Sequence, residues 1–568
     1  MPSTAPRWRW LPAQGSVRYH LLLGTLGVLV LGPLAGVTAA YMNFSLGFFV
    51  GGQVLAGLLG SAVTAGYGAD GKHGANYIQT AAASVASMSG LAVLLQAMAW
   101  MHLPQPPAWQ LVLYLACIGI FGVGVGMLCT PILVDRMRLP FPSGLAVANI
   151  LRALTDTALL GRSIRFLAGG TAAGIVAGLA TPRLAMLAAM ETSASTFGAG
   201  LVVGARIGIP ALTGGLLSLA LKPWFVSIGW LEAGDPPRKI MFLVALGTIL
   251  GAAVVDLAVI GRDAATGRYG RAQPAPDWQR VHAGRLVAWV VLWAMAVIAS
   301  GHWILGQPLP YLALAVALVF LFAIVNGISA GVSDSNPISS AFVVSVVLMA
   351  LLGLKDPGVG LMAGAVLLVA TSVACDMQQD RSTGWRLGTP RVPQFRYQVA
   401  GIVVGAVLAV LFARFFMAAY PVLLQDQTVM QAGRQPAEWG SAMTYKFVGV
   451  LRSLTDEKAY QRTAIVAGMC AGAAIEVARK LLKPRSFVVD AIVLPSPYAL
   501  SFGGFVNLPT LLWFAGGSVA GDLAARRERG RSGLPPDMSA VSLVGGGLIA
   551  GDALAALGLG AFGLLAVL

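Results

Sequence analysis

Charge is what this sequence has least of. Only 11% of its 568 residues are Asp, Glu, Lys or Arg, where a soluble domain carries about 25%. A chain so poor in charge cannot cover a water-exposed globule. With 57% hydrophobic residues and a mean hydropathy of +0.77, its solvent must be lipid for much of its length. Cysteine and histidine are also scarce, at four and five residues. Cys117, Cys129, Cys375 and Cys470 lie in or beside apolar segments. None forms a CxxC pair, and no Cys/His cluster has zinc spacing, so they read as buried thiols. Walker A, G-x-S-x-G and H-E-x-x-H sequences are all missing. No built-in ATPase, no enzyme, no metal and no cofactor is therefore expected.

Short alternating segments are missing too, which excludes a membrane barrel. The apolar runs are long and unbroken, as spanning helices of about 20 residues require. They fall near 21–40, 45–66, 77–101, 110–134, 142–160, 164–190, 196–221 and 239–260. A second set lies near 283–304, 308–330, 336–354, 358–375, 397–420, 462–482, 487–522 and 539–568. The pattern predicts an all-α, polytopic transmembrane helix bundle of about 14–17 membrane segments, some broken or re-entrant.

The charge that is present is mostly positive, 38 Lys+Arg against 23 Asp+Glu for a net +15. No basic stretch is interleaved with aromatics, so nucleic acid is not the expected partner. Basic residues in cytoplasmic loops explain the excess. Arg7, Arg9 and Arg18 put the N-terminus in the cytoplasm of a multi-pass protein of the cell membrane, the inner membrane in a bacterium. The Arg-bearing stretches 262–285 and 376–396 are expected to be cytoplasmic loops by the same rule. The stretches near 102–109, 302–309 and 421–442 are poor in Lys and Arg and read as outer. The hydrophilic 261–282 segment then joins a half at 21–260 to a half at 283–568, after a cytoplasmic segment at 1–20. Weak internal matches recur in the same order in both halves, as in duplicated transporters: 74–84 with 331–341, 133–144 with 374–384, and 204–210 with 503–509.

Seventy glycines mostly serve close helix packing. Where Gly meets Ser, Thr, Asn and Pro, at 74–89, 194–215, 326–340 and 496–509, broken helices could expose backbone groups to a solute. Asn76, Gln79, Thr80, Ser143, Asn326, Ser333, Asp334, Asn336 and Asn507 are the candidate solute-lining residues. Ionisable residues inside apolar runs cost several kcal/mol at the bilayer centre and mark function. Asp552, Glu191, Glu476, Asp376 and Asp380 are the candidates for proton coupling or gating. Asp552 is the most isolated of these, and its alternative is a fixed pair with an Arg such as Arg206. Asp376 and Asp380 are expected to pair with Arg381, Arg386 or Arg391 in a positioning element between the halves.

Several of these segments together resemble the oligopeptide transporter (OPT) family, which includes the yellow-stripe metal-chelate transporters. In 374–401 the match rests on Asp376, Met377, Gln379, Asp380, Thr383, Gly384, Gly388, Pro390 and Arg391. Asn76, Gln79 and Thr80 resemble the family's early E-N-x-x-Q-T segment, although Gly74 and Ala75 stand where the glutamate usually lies. The segments 139–151, 197–215 and 547–554 resemble further family motifs, with Asp552 in place of a glutamate. The resemblance implies proton-driven uptake of short peptides or of metal complexes of amino-acid-derived chelators. It also implies a possible homodimer. An unrelated small metabolite, or passive flow through a channel, are the alternatives.

Overall fold

A computed structural model describes residues 11–45, 53–155, 157–232, 237–265, 276–333, 338–429, 441–452, 460–482, 486–505, 508–528 and 539–567, with Trp8, Gly234 and Trp439 besides. Among the described residues there is no strand. The first part of the chain forms α1 (Val17–Gly24), α2 (Gly32–Ser45), α3 (Gln53–Thr64), α4 (Gly71–Ser89), α5 (Val93–Trp100), α6 (Ala108–Thr130) and α7 (Pro142–Thr155). Then come α8 (Thr157–Ala180), α9 (Ala185–Ala189), α10 (Ala194–Val203), α11 (Ala205–Ser227) and α12 (Arg238–Ala265). The remainder contributes α13 (Ala283–Ala299), α14 (Leu309–Ser333), α15 (Ile338–Leu351), α16 (Pro357–Leu387) and α17 (Arg391–Ala419). The last elements are α18 (Ala442–Arg452), α19 (Tyr460–Leu482), α20 (Pro497–Phe505), α21 (Leu508–Glu528) and α22 (Ala540–Val567).

Among the described residues, eight helical stretches are long and apolar enough to cross a membrane, with shorter apolar helices beside them. The protein is thus an all-α, multi-pass membrane protein. Burial sorts the stretches. The most apolar window of Leu59–Trp100 is 94% buried and that of Pro357–Leu387 is 89% buried, against 11% for Asp277–Ile304. The helices α4 and α16 are therefore central, while α13 turns most of its surface outward. Around them a continuous core holds Trp100, Phe121, Phe322, Phe342, Phe416 and Phe447 fully buried.

Lipid supplies no hydrophobic force between helices, so association depends on close contact through small residues. The α8–α22 pair shows how the glycines serve this. A methyl group added to Gly170 would stand 2.5 Å from the Val544 carbonyl oxygen. One added to Gly174 would stand 2.5 Å from that of Leu548. Gly547 and Gly551 make the reciprocal approach from α22.

Helix α16 corrects the sequence reading most. Asp356 caps its N-terminus, accepting from the backbone N–H of Gly358 (2.7 Å) and Val359 (3.2 Å), with Pro357 in the first turn. It then runs 31 residues to Gly388, which ends it in the left-handed conformation at φ 71°. The 376–396 stretch, expected to be a cytoplasmic loop, is instead the last turns of α16 and the first of α17. Asp380, Arg381 and Arg391 are buried among helices and Asp376 and Arg386 half-buried, with Arg396 exposed, a difference that counting charge along a sequence cannot make. The junction at Gly204 (φ 84°) between α10 and α11 agrees with the expected break in 194–215. Of the four thiols, Cys470 is exposed, against the reading that all are buried. It sits on an outward turn of α19.

Candidate functional site

The early polar segment and the late acidic one form a single seam. Helices α4 and α16 run antiparallel, so Ser87 meets Asp376 while Gln79 meets Asp380. Ser87 Oγ donates to Asp376 Oδ2 at 2.5 Å, and Gln79 Nε2 donates to Asp380 Oδ1 at 2.8 Å. Thr80 Oγ1 accepts from Gln394 Nε2 of α17 at 3.0 Å, and the same amide donates to the Asp380 carbonyl at 2.9 Å. Asn76 closes the row, wholly buried near Gly384. The spacing explains why these residues share a line: 76, 80, 84 and 87 on α4 and 376, 380 and 383 on α16 follow the helical period.

Neither Asp376 nor Asp380 makes an ion pair among the described residues, contrary to the expected pairing with Arg381, Arg386 or Arg391. Each has a different neighbour instead. Arg391 makes a two-bond pair with Asp135, at 2.5 and 2.9 Å. Arg386 donates to the Pro140 carbonyl (2.8 Å) and to Ser382. Arg381 donates to the Arg391 carbonyl (2.7 Å), Gln394 Oε1 (3.0 Å) and Met377 Sδ (3.0 Å). Asp380 and Arg381 are each 1% exposed, so the seam is shut from solvent there, while Asp376 and Ser87 are half-buried. Several of its polar atoms have no hydrogen-bond partner: both amide atoms of Asn76, Gln79 Oε1, Asp380 Oδ2 and Arg381 Nη2. Buried polar atoms are normally satisfied, so this seam is built to meet something besides itself.

The remaining candidates lie near the seam or away from it. Ser143 stands at the start of α7, where the next residue, Gly144, accepts from Thr383 Oγ1 of α16 at 2.9 Å. The two segments matched as a weak repeat, 133–144 and 374–384, thus pack on each other. Asn326 of α14 donates to Thr371 Oγ1 of α16 at 3.3 Å, apart from the α4 contacts. Ser333 ends α14, and its side chain lies outside the described residues, as do Asp334, Asn336 and Asn507. Glu191 is not within a helix. It sits exposed at φ 47° in the turn between α9 and α10. Glu476 is buried but paired on its own helix, 3.1 Å from Lys480 Nζ and 3.9 Å from Arg479 Nε.

Asp552 faces other helices, as expected of an intramembrane carboxylate, but its partners are not arginines. Its Oδ2 accepts from the Ser195 backbone N–H at 2.8 Å and from Ser193 Oγ at 3.3 Å. It sits at the N-terminus of α10, where free N–H groups and the helix dipole favour an anion. Arg206, its suspected partner, pairs with Asp490 at 3.3 Å.

Sequence reasoning missed Ser87, Gln394 and Asp135 and did not foresee a buried, unpaired Arg381. A helical stripe of polar residues through 372–383 was the available signal. No group of three His, Cys, Asp or Glu that could hold a metal ion occurs among the described residues.

The sequence profile of the OPT oligopeptide transporter protein family matches residues 23–234 and 272–562. The chain belongs to this family. The match takes in both sides of the seam. A Haemophilus influenzae protein provisionally described as an oligopeptide transporter is 26% identical over 404 residues, 59% of this chain and 63% of that relative. The aligned part thus covers less than two thirds of the relative's length.

Proposed function

We propose that this OPT-family protein is a secondary active transporter that couples proton flow to the import of short oligopeptides or peptide-like metal chelates. The observation that carries the reading is the pair of carboxylates one helical turn apart on α16, Asp380 buried and Asp376 half-buried, held across the α4 boundary by neutral partners. A carboxylate paired with a cation stays charged and fixed. One held by a serine or an amide in a closed apolar setting can take a proton as the seam closes and lose it as water enters. The unpartnered oxygen of Asp380 supplies a place for it. The family and the described relative support peptides as the solute class.

In the same reading the N-terminus is cytoplasmic and the protein lies in the cell membrane, the inner one in a bacterium. It works with lipid around it, as a single chain or a homodimer. The α16–α17 junction, ringed by Arg152, Arg386, Arg391 and Arg396, faces the cytoplasm. The test is uptake by proteoliposomes of di- to hexapeptides and of iron or nickel chelates under an imposed pH gradient. Accumulation that collapses with the gradient supports coupling. Uptake that ignores the gradient overturns it and leaves passive flow.

A further inference from the structure

We infer that Arg381 anchors a carboxylate group of the transported solute. The inference rests on the transport reading and adds the chemistry by which a solute is held. Arg381 is a fully buried guanidinium whose described hydrogen-bond partners are all neutral: a thioether, a main-chain carbonyl and an amide oxygen. Its Nη2 has no partner at all. A cation taken out of water without a counter-ion is costly, by several kcal/mol. Of the anions close by, Asp135 is paired with Arg391, and Asp380 acts on Arg381 only through its charge, with no hydrogen bond between the two side chains and its Oδ1 turned to Gln79.

The surroundings fit an arriving carboxylate. Guanidinium donors in a fixed fork match a carboxylate in two parallel hydrogen bonds. One turn along α16, Gly384 lets the Gln394 and Asn76 amides come close to the helix. A methyl group there would stand 2.9 Å from Gln394 Oε1 and 3.4 Å from Asn76 Nδ2. The Asn76 amide, itself unpartnered, is thus a second donor beside the same turn. When α4 and α16 part on the way to an open state, this is the positive, donor-rich end of the seam.

The carboxylate has two possible sources, a peptide C-terminus or a chelator acid, and the arms of the experiment separate them. Purified full-length protein is titrated with tetra-alanine and with its C-terminal amide. The wild type is expected to bind the amide about tenfold or more weakly, the loss of about one charge-assisted hydrogen bond. Arg381→Lys retains part of the preference and Arg381→Gln erases it. Equal binding of the two peptides by the wild type overturns the inference, and that comparison needs no variant to fold. So does a preference that survives in Arg381→Gln. Displacement by an iron–carboxylate chelate alone, lost in Arg381→Gln, keeps the anchor and assigns it to chelates. N-acetylalanine and its amide report on the carboxylate without a peptide. Thermal stabilisation by the acid only, lost in Arg381→Gln, with no peptide taken up, upholds the anchor and overturns the peptide reading. Peptide uptake that is blind to amidation does the reverse.

Discussion

Gln79 and Asp380 stand 301 residues apart in the chain and 2.8 Å apart in space. That hydrogen bond, with Ser87–Asp376, joins the polar rows of two buried helices. It holds the Asp380 side chain toward α4 while leaving its second oxygen without a partner. A seam of this kind specifies how the helices meet and leaves a group free to change its state.

The glycine contacts set the spacing of the outer helices. Gly551→Ala puts a methyl group into the backbone of α8 at Thr171, Gly174 and Ile175. It should lower stability by about 1–3 kcal/mol, the usual cost of overpacking. Gly169→Ala adds a methyl group with nothing within 4 Å and should be tolerated. Thermal unfolding in detergent compares the two, and equal melting temperatures contradict the assignment.

The ion pair Asp135–Arg391 closes the seam at its α17 end, with the Trp278 ring 5.7 Å from the Arg391 guanidinium carbon. Arg391 is the better buried partner, at 6% side-chain exposure against 27% for Asp135. Asp135→Asn leaves that guanidinium short of its counter-charge, at a cost of about 1–3 kcal/mol. A double-mutant cycle with Arg391→Gln should show coupling of similar size. Additive effects would mean the pair does not hold this end together.

The Asp552 side chain accepts from the first turn of α10, beside the N-cap residue Ser193. Asp552→Asn keeps an acceptor for the Ser195 N–H and should preserve both folding and gradient-driven uptake. Asp552→Ala removes the acceptor and should cost about 1 kcal/mol of stability. If Asp552→Asn folds normally yet loses gradient-driven uptake, the residue is a coupling carboxylate and the structural assignment is withdrawn.

Much of this was legible in the sequence. Scarcity of charge and the length of the apolar runs predicted a helical membrane bundle. Asn76, Gln79, Thr80, Asp376 and Asp380 stand out in the sequence alone as polar or acidic residues beside or within apolar runs. Their meeting was not legible, because hydropathy has no term for which helix faces which. The same limit turned 376–396 into a loop: four arginines and two aspartates raise its polarity, whether water or other helices surround them. Glu191 and Asp552 both read as carboxylates in apolar runs, Asp552 as the more isolated. One lies in an exposed turn and the other within α22 facing the N-terminus of α10, a difference decided by backbone geometry.

Topology has its own test. Arg280 lies in the linker with 63% side-chain exposure. In a protein whose exposed Cys470 has been replaced, Arg280→Cys should resist an impermeant thiol reagent in intact cells and react after lysis. Thr389 is a poor reporter, since it is fully buried against His73 at 3.1 Å. Ready labelling of Arg280→Cys from outside contradicts a cytoplasmic linker.

If the α16 carboxylates carry the proton that drives uptake, Asp380→Asn uncouples the transporter. Asparagine keeps the shape of the side chain and the acceptor for Gln79, so folding should be preserved. In proteoliposomes loaded with a transported peptide, the account predicts solute exchange within about threefold of the parent, because a neutral isostere keeps the contact. Accumulation driven by the pH gradient should fall to background. Accumulation at the parental rate by a normally folded Asp380→Asn protein would contradict the account.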